Sequence, residues 1–367
     1  MRAVNPWNDR YRGRRVLVTG NTGFKGSWLS IWLHQLGANV LGYSLEPPTD
    51  PALFDQADIR RLVTQVHGDV RNPDRLAGVW RDFKPEIVFH LAAQSLVRAS
   101  YRIPADTVTT NVLGTVNVME SARLDPDPVA LVLITSDKCY ENREWERGYA
   151  EDDVLGGRDL YSGSKAAAEV LISSYRRSFF AEGLRVPLAS ARAGNVIGGG
   201  DWAEDRIVPD AVRALMAGQP IAVRNPAAVR PWQHVLEPLS GYLRLGAALL
   251  ERADPGLCTA FNFGPAMQNT RSVGELVSLA VETWGSGEWR DASSPGAPHE
   301  ATLLRLDIAR AERDLGWRPR WNFDQAVRNT IGWYKASTRG EPAIDRCREQ
   351  IAAYVAQVST PPVPSAA

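Results

Sequence analysis

Short apolar runs recur along the first half of the chain, each closed by a glycine or polar turn and followed by a stretch with helical spacing. From Arg14 the pattern is an apolar run (Val16 to Val18), a glycine turn, an amphipathic segment (SWLSIWLHQL) and a second run ending near Glu46. That is strand, turn, helix, strand. A helical segment around Asp58 to Thr64 and a short strand at Val63 to Val66 follow, then Ile87 to Leu91, Ala130 to Ile134 and Val186 to Ala191. Continuous apolar runs of this length read as strands covered on both faces. Their alternation with helices predicts an α/β chain with a doubly wound parallel sheet of Rossmann type, whose ligand crevice opens at the carboxyl ends of the strands.

Beyond Arg192 the regularity breaks. The segment ARAGNVIGGGDWAEDRIVPD is too polar for a core strand and reads as a binding loop. A helix around Asp210 to Ala217, a strand at Ile221 to Val223, the stretch RPWQHV, and a mixture of helices and short strands such as Ala260 to Phe263 follow. The expected organisation is a dinucleotide-binding domain over residues 1–191, to which a segment near 230–255 returns. A smaller mixed α/β substrate-binding domain is expected over 192–345. Residues 346–367 read as a partly disordered tail, because Pro361, Pro362 and Pro364 stand among Ser, Thr and Ala with nothing to bury.

Composition narrows the function. Lys plus Arg and Asp plus Glu are both 42, so no overall basic field recruits nucleic acid or an anionic membrane, and any anion must be caught locally. Cys139, Cys258 and Cys347 lack the spacing of a disulfide framework or a zinc site, which fits a reducing compartment and predicts no metal. The N-terminal stretch has no signal-peptide core and no later run is long enough to cross a bilayer, so a cytoplasmic protein is expected.

The glycine turn carries the first chemistry. Gly20, Gly23 and Gly26 follow a strand directly and open a helix, a placement that permits a tight turn and close approach of backbone N–H groups to a pyrophosphate. Glu46, about 20 residues on, suits a ribose hydroxyl and repels a 2′-phosphate, which favours NAD over NADP. Thr22 and Phe24 belong to the same turn. Lys25 is either a phosphate contact or a solvated helix-end lysine. Asp69, with Val70, is placed to accept from an adenine amino group. Leu91, Ala92, Ala93 and Gln94, at a strand exit, let backbone reach phosphate and ribose. His90 reads as a packed core histidine rather than a base. Asn111, at the start of TNVLGTVNVMESA, is either an N-cap or a hydrogen-bonding post near the site.

The second chemistry lies between Leu133 and Lys165. The apolar run ending at Ile134 gives way to Thr135, Ser136, Asp137 and Lys138. Further on, Tyr161 and Lys165 stand four apart at a helix start, on one face. A phenol of ordinary pKa about 10 becomes a usable base beside an ammonium group. Taken alone, such a pair is an ordinary surface contact contributing about 0.2–0.5 kcal/mol. Arg206 and Arg230 are candidates to clamp a diphosphate with their guanidinium forks, the other reading being surface arginines. Ser95 and Asn195 are further substrate-binding candidates.

With the glycine turn, Asp69, Ser136, Tyr161 and Lys165 in this order, the chain resembles the extended short-chain dehydrogenase/reductase family acting on nucleotide sugars. TSDKCYEN, YSGSK, GNVIGGGDWAEDRIVPD and RPWQHVLEPLSGYL are similar to the CDP-glucose 4,6-dehydratase branch, over roughly Arg14 to Tyr334. Arg147, Ala150 and Leu160 depart from that branch's pattern. The resemblance implies a lyase using NAD, with CDP-glucose as nucleotide-sugar substrate, and a homodimer or higher homo-oligomer. It further implies that Tyr161 takes the C4 hydroxyl proton, Lys165 lowers the phenol pKa, Ser136 holds the oxygen, Asp137 protonates the departing C6 hydroxyl and Lys138 removes the C5 proton. A 4-epimerase of the same fold needs no acid and base after Ser136. A non-catalytic NAD sensor would have lost Tyr161 and Lys165.

Overall fold

Seven parallel strands form the centre of the computed structural model, which describes residues 7–181, 184–266, 270–293 and 304–358. They are β1 (Arg15–Thr19), β2 (Asn39–Ser44), β3 (Thr64–His67), β4 (Ile87–His90), β5 (Ala130–Ile134), β6 (Leu188–Arg192) and β7 (Ala260–Asn262). The order across the sheet is β7-β6-β5-β4-β1-β2-β3. The winding reverses between β1 and β4, and the crevice at that switch point is where an open α/β sheet holds its ligand.

Side chains alternate between the two faces along each strand. Val16, Val18, Phe89, Val132, Ile134, Ala189 and Ala191 pack with Trp28, Leu29, Leu239 and Leu243, from helices Phe24–Gln35 and Leu236–Glu251. Leu17, Val88, Leu131, Leu133 and Leu188 pack on the other side with Trp80, Val118, Met119 and Ile172, from helices Pro73–Phe83, Gly114–Leu124 and Leu160–Phe179. Both faces are covered, which explains the uninterrupted apolar runs.

The structure corrects four expectations. β7 belongs to the central sheet, pairing with β6 through Ala260 and Ser190, so the returning segment reaches Asn262 instead of ending near 255. The helix expected around Asp58 to Thr64 is a single 3₁₀ turn at Ile59–Arg61, because Asp58 has a left-handed φ of 48° and the next residues join the sheet as β3. Residues 346–358 are not a tail but part of helix Ala343–Val358, which buries Cys347, Ile351, Tyr354 and Val355 along one stripe. The remainder of the expected tail lies outside the described residues. Finally, the smaller region has no core of its own. Helices Ile207–Met216, Val273–Trp284 and Phe323–Thr338 bury Val212, Val277 and Ile331 in the same cluster as β1 and β5. No helix among the described residues is long and apolar enough to cross a membrane.

Candidate active site

The glycine turn sits at the switch point. Gly20 has φ +73°, and a Cβ there would lie 2.6 Å from the Ala92 nitrogen; one on Gly26 would lie 2.2 Å from the Gly20 oxygen. Only glycine lets the β1 exit, the β4 exit and the helix start come this close. Gly23 is the N-cap of helix Phe24–Gln35 and makes no side-chain cap bond, so this twelve-residue helix presents its N–H end to the crevice. Phe24 is partly buried, close to Gly198. Thr22 Oγ1 donates to the Leu45 oxygen at 3.0 Å, and Asn21 is tied to Gln65 at 2.6 Å and to Ser44 at 2.9 Å. A closed turn facing an uncapped helix end, with a lysine beside it, fits a dinucleotide diphosphate.

Lys25 is held inside the crevice. Its Nζ donates to the Tyr242 hydroxyl at 3.0 Å, and burial, reinforced by the charges of Lys165 and Arg206, pulls its pKa down to about 7. Its side chain is partly buried and hydrogen-bonded rather than free in solvent. Asn111 also resolves. It lies inside a continuous helical stretch that begins at Pro104, in a π turn at Thr109–Leu113, and so caps nothing. Its amide accepts from the Gln94 nitrogen at 2.8 Å and donates to the Gln94 oxygen at 3.0 Å and Ser164 Oγ at 2.9 Å, tying the β4 exit to the Tyr161 helix. His90 bridges Thr19 and Thr115, at 2.7 and 3.1 Å, and burial lowers its pKa to about 3; it is a neutral core residue.

The adenosine side differs in detail from the sequence reading. Glu46 stands two residues past the end of β2, is exposed, and pairs with Arg60 at 3.1 Å. Asp69 is gripped by Arg71, whose Nε and Nη2 lie 2.9 and 2.7 Å from Oδ2 and whose backbone N–H donates to Oδ1 at 2.8 Å. Those hydrogen bonds hold the carboxyl below its ordinary range. Val70 packs beneath Gly114, where a Cβ would meet it at 2.7 Å. Leu91, Ala92 and Ala93 line the β4 exit, with the Ala92 N–H donating to Thr19 Oγ1 at 3.2 Å.

At the end of β5, Ser136 caps a short turn, Asp137–Cys139, by accepting from the Lys138 N–H at 3.2 Å, and its hydroxyl donates to Asp137 Oδ1 at 2.9 Å. Asp137 is only 2% exposed, and its Oδ2 has no hydrogen-bond partner among the described residues. Space for that carboxylate exists because residue 194 is glycine: a Cβ there would lie 1.8 Å from Oδ2. Helix Leu160–Phe179 starts at Asp159, which accepts from the Ser162 N–H at 2.9 Å, and this places Tyr161 and Lys165 against the turn. Burial pushes the Tyr161 phenol up to about 12, with the Ser136 hydrogen bond opposing and the Asp137 charge adding. Without ligands Tyr161 is therefore protonated at neutral pH, whereas the sequence reading expected a lowered pKa; removal of the ring from water outweighs the nearby cations. Lys165 donates to the Ile134 oxygen at 3.3 Å, and burial brings it down to about 8. The Lys138 side chain is partly exposed.

Of the expected substrate residues, the structure brings Arg206 and Ser95 together at 3.5 Å, with Arg206 anchored on Asp201 at 2.8 Å and near enough to Tyr161 for its charge to act there. Asn195, at φ +50°, follows the glycine that touches Asp137. Arg230 lies on a separate two-stranded ribbon, opposite Arg271. Of the three departures, Arg147 pairs twice with Asp153 at 2.7 Å and lies 4.0 Å over the Trp145 ring, the Ala150 N–H donates to Asp153, and Leu160 is 37% exposed. Sequence reasoning missed Gly194, Tyr242 and Asn21, all of which act through distant partners.

A model of the family described as GDP-mannose 4,6 dehydratase matches residues 17–330. The CDP-glucose 4,6-dehydratase of Salmonella typhimurium is 46% identical over 349 residues, covering 94% of this chain and 97% of that protein. A dTDP-glucose 4,6-dehydratase of Streptomyces antibioticus is 30% identical over 331 residues, with 87% and 92% covered. Among solved structures, a dTDP-glucose 4,6-dehydratase from Streptomyces venezuelae with NAD bound shares the fold at a TM-score of 0.75 and 22% identity, over 90% of this chain and 99% of that one. Sheet order, glycine turn and the extent of these matches agree: the chain belongs to the GDP-mannose 4,6 dehydratase family of extended short-chain dehydrogenase/reductases.

Proposed function

We propose that this chain is a NAD-dependent hydro-lyase that converts CDP-glucose into CDP-4-dehydro-6-deoxyglucose and water. One observation carries the reading: a buried acid, Asp137, is built into the same turn as Ser136 and Lys138 and faces the Tyr161 helix. An epimerase has no use for that acid. The similarity to the Salmonella enzyme supports cytidine as the base.

NAD, when bound, supplies a hydride acceptor for C4 and later a hydride donor for C6. Glu46, Asp69 and the strand-exit residues Leu91 to Gln94 are its proposed binding groups together with the glycine turn. Tyr161 takes the C4 hydroxyl proton while Ser136 holds that oxygen. A phenol that is protonated without ligands needs added positive charge nearby to act as a base; Arg206 supplies part of it, and Lys165, one turn along the same helix, is the proposed second source. Lys138 removes the proton from C5, acidified by the C4 ketone, and Asp137 gives a proton to the C6 hydroxyl as water leaves. C6 then regains the hydride taken from C4 and C5 regains a proton, so no net oxidation occurs. Arg206, Ser95, Asn195 and Arg230 are the proposed substrate-binding residues.

Exposed apolar side chains on the helical stretch 104–124 (Val108, Leu113) and on Leu160–Phe179 (Leu160, Val170, Phe179) support a homodimer joined through these helices. The free cysteines support a reducing, cytoplasmic setting. The test is incubation with CDP-, dTDP-, UDP- and GDP-glucose, following the 4-keto-6-deoxy product. Turnover of CDP-glucose alone is expected; a C4-inverted sugar with no loss of water would establish the epimerase instead.

A further inference from the structure

Behind the catalytic turn lies an ion pair that the proposed reaction does not itself use. Glu169 and Arg192 meet at 2.8 Å, with side chains 2% and 4% exposed. Glu169 stands on the Tyr161 helix, one turn beyond Lys165, so the three residues follow at i, i+4 and i+8 along one face. Its Oε1 accepts from Thr135 Oγ1 at 2.5 Å, and its Oε2 from Ser190 Oγ at 2.9 Å and from Arg192. Arg192 also donates to the Tyr140 hydroxyl at 2.7 Å and to the Glu151 oxygen at 2.9 Å. The Tyr140 hydroxyl in turn donates to Asn262 at 2.8 Å. Thr135 and Tyr140 bracket the turn that carries Ser136, Asp137 and Lys138, so one ion pair grips both its ends.

A buried pair of this kind is poor evidence for stability, since desolvating two charges costs about as much as their attraction returns. Its placement has another consequence. The titratable groups around Lys165 are Tyr161 and Glu169 on its own helix, Cys139 on the turn, the like-charged Lys25 on the glycine-turn helix and the neutral His90 on β4. Glu169 is the carboxylate in that set. It opposes the effect of burial on Lys165.

We propose that Glu169 is a positioning residue for the reaction: it fixes the Ser136–Cys139 turn through Thr135 and Arg192, and it is the countercharge that keeps Lys165 cationic. The inference rests on the reading of Tyr161 and Lys165 given above. Without this carboxylate, Lys165 loses its proton at lower pH, and Tyr161 loses the cation beside it.

Glu169→Gln in the NAD-loaded enzyme tests this, with NADH appearance in a single turnover as the measure of C4 oxidation across pH. The alkaline limb should move to lower pH by about one unit, the low end of what a neighbouring opposite charge does to a pKa. KM for the nucleotide sugar should stay within about twofold, since the carboxylate touches no substrate. Glu169→Asp, which keeps the charge, should return the limb toward the parent position. A limb that stays in place in Glu169→Gln while the melting temperature falls shows a purely structural pair and overturns the inference. If Glu169→Gln does not fold, Glu169→Met combined with Arg192→Met removes both charges without leaving one orphaned. A smaller downward shift is expected there, because the Arg192 charge that opposes the carboxylate is lost with it, and a limb that is unmoved or moves upward is contrary. Tyr161→Phe run in parallel separates the two levels. If it oxidises C4 at the parent rate, the reading of the Tyr161 and Lys165 pair fails and this inference falls with it; if it is inactive and the limb is unmoved, only the role of Glu169 fails.

Discussion

Lys25 Nζ and the Tyr242 hydroxyl, 217 positions apart in sequence, meet at 3.0 Å. The pair joins the glycine turn to helix Leu236–Glu251 and holds a partly buried lysine at the place where the diphosphate is proposed to lie. Lys25 without ligand titrates near 7. A bound diphosphate favours its charged form, so above pH 7 cofactor binding takes up a proton. NAD affinity should therefore be flat below about pH 6 and weaken by up to about tenfold per unit above 7. Titrations between pH 6 and 9, with parent and Lys25→Met, measure this. The variant should lose the slope, and an equal slope in both assigns the proton elsewhere.

Gly194 makes the second prediction. A methyl group there would overlap the Asp137 carboxylate, with 1.8 Å to Oδ2, so Gly194→Ala must turn the acid away from its position. The three atoms nearest that Cβ all belong to Asp137, so the clash falls on the acid first, and Ser136 loses its 2.9 Å bond to Oδ1 while Tyr161 and Lys165 stay on their helix. C4 oxidation should persist within about tenfold, whereas release of dehydrated product should fall by about 10² or more, the scale of losing a general acid. Rapid-mixing absorbance for NADH alongside product analysis separates these steps. Equal loss of both would place Asp137 in the oxidation step as well.

How legible this was in the sequence depended on distance along the chain. The glycine turn, the β5 exit and the Tyr161–Lys165 spacing are local patterns, and the structure brings them to one crevice. Glu46 reads as a strand-end acid from its distance to the glycine turn, but sheet pairing stops at Ser44 and Glu46 turns outward to Arg60. Tyr242, Gly194 and Arg192 could not be found this way, since each matters through a partner that only the fold supplies. The C-terminal helix is obscured for a different reason: the prolines after residue 360 suggest disorder, although Cys347, Ile351, Tyr354 and Val355 have the spacing of a buried stripe.

That stripe delivers Tyr354 to a buried acid. Glu237 accepts from the Tyr354 hydroxyl at 2.6 Å, the Trp321 N–H at 2.6 Å and the Arg320 N–H at 2.9 Å, yet burial still raises its pKa to about 7. An unfolded glutamate titrates near 4.3. Between these values the folded state binds more protons, so stability from this group is full below about pH 4 and declines as pH rises to 7, then stays level. Glu237→Gln keeps an acceptor for the backbone and a donor for Tyr354 without the charge. At pH 8 it should melt higher than the parent by a margin of up to about 3 kcal/mol. At pH 5 the two should nearly coincide. Thermal melts at both pH values decide, and a variant that is less stable at pH 8 would show that the hydrogen bonds hold an ionised carboxylate more strongly than burial opposes it.

Lys138 separates the dehydratase chemistry from the rest of the fold. Its backbone is fixed by Ser136 in the turn, and its side chain is partly exposed at the crevice. If it removes the C5 proton, Lys138→Ala should still oxidise C4, because Ser136, Tyr161 and Lys165 remain in place, and should then stall. Enzyme-bound NADH should accumulate in a single turnover while dehydrated product falls by about 10² to 10⁴, the usual range for a lost general base. The alternative is that Lys138 only balances the charge of Asp137, in which case C5 deprotonation persists in the variant. Heavy water distinguishes the two. The parent should give product deuterated at C5, since that carbon regains a solvent proton as hydride returns to C6. Lys138→Ala that forms product at the parent rate with full C5 labelling would remove Lys138 from the reaction and make Asp137, the other titratable group of the turn on the substrate side, the next base to test. NADH accumulation without C5 exchange would assign the proton to Lys138.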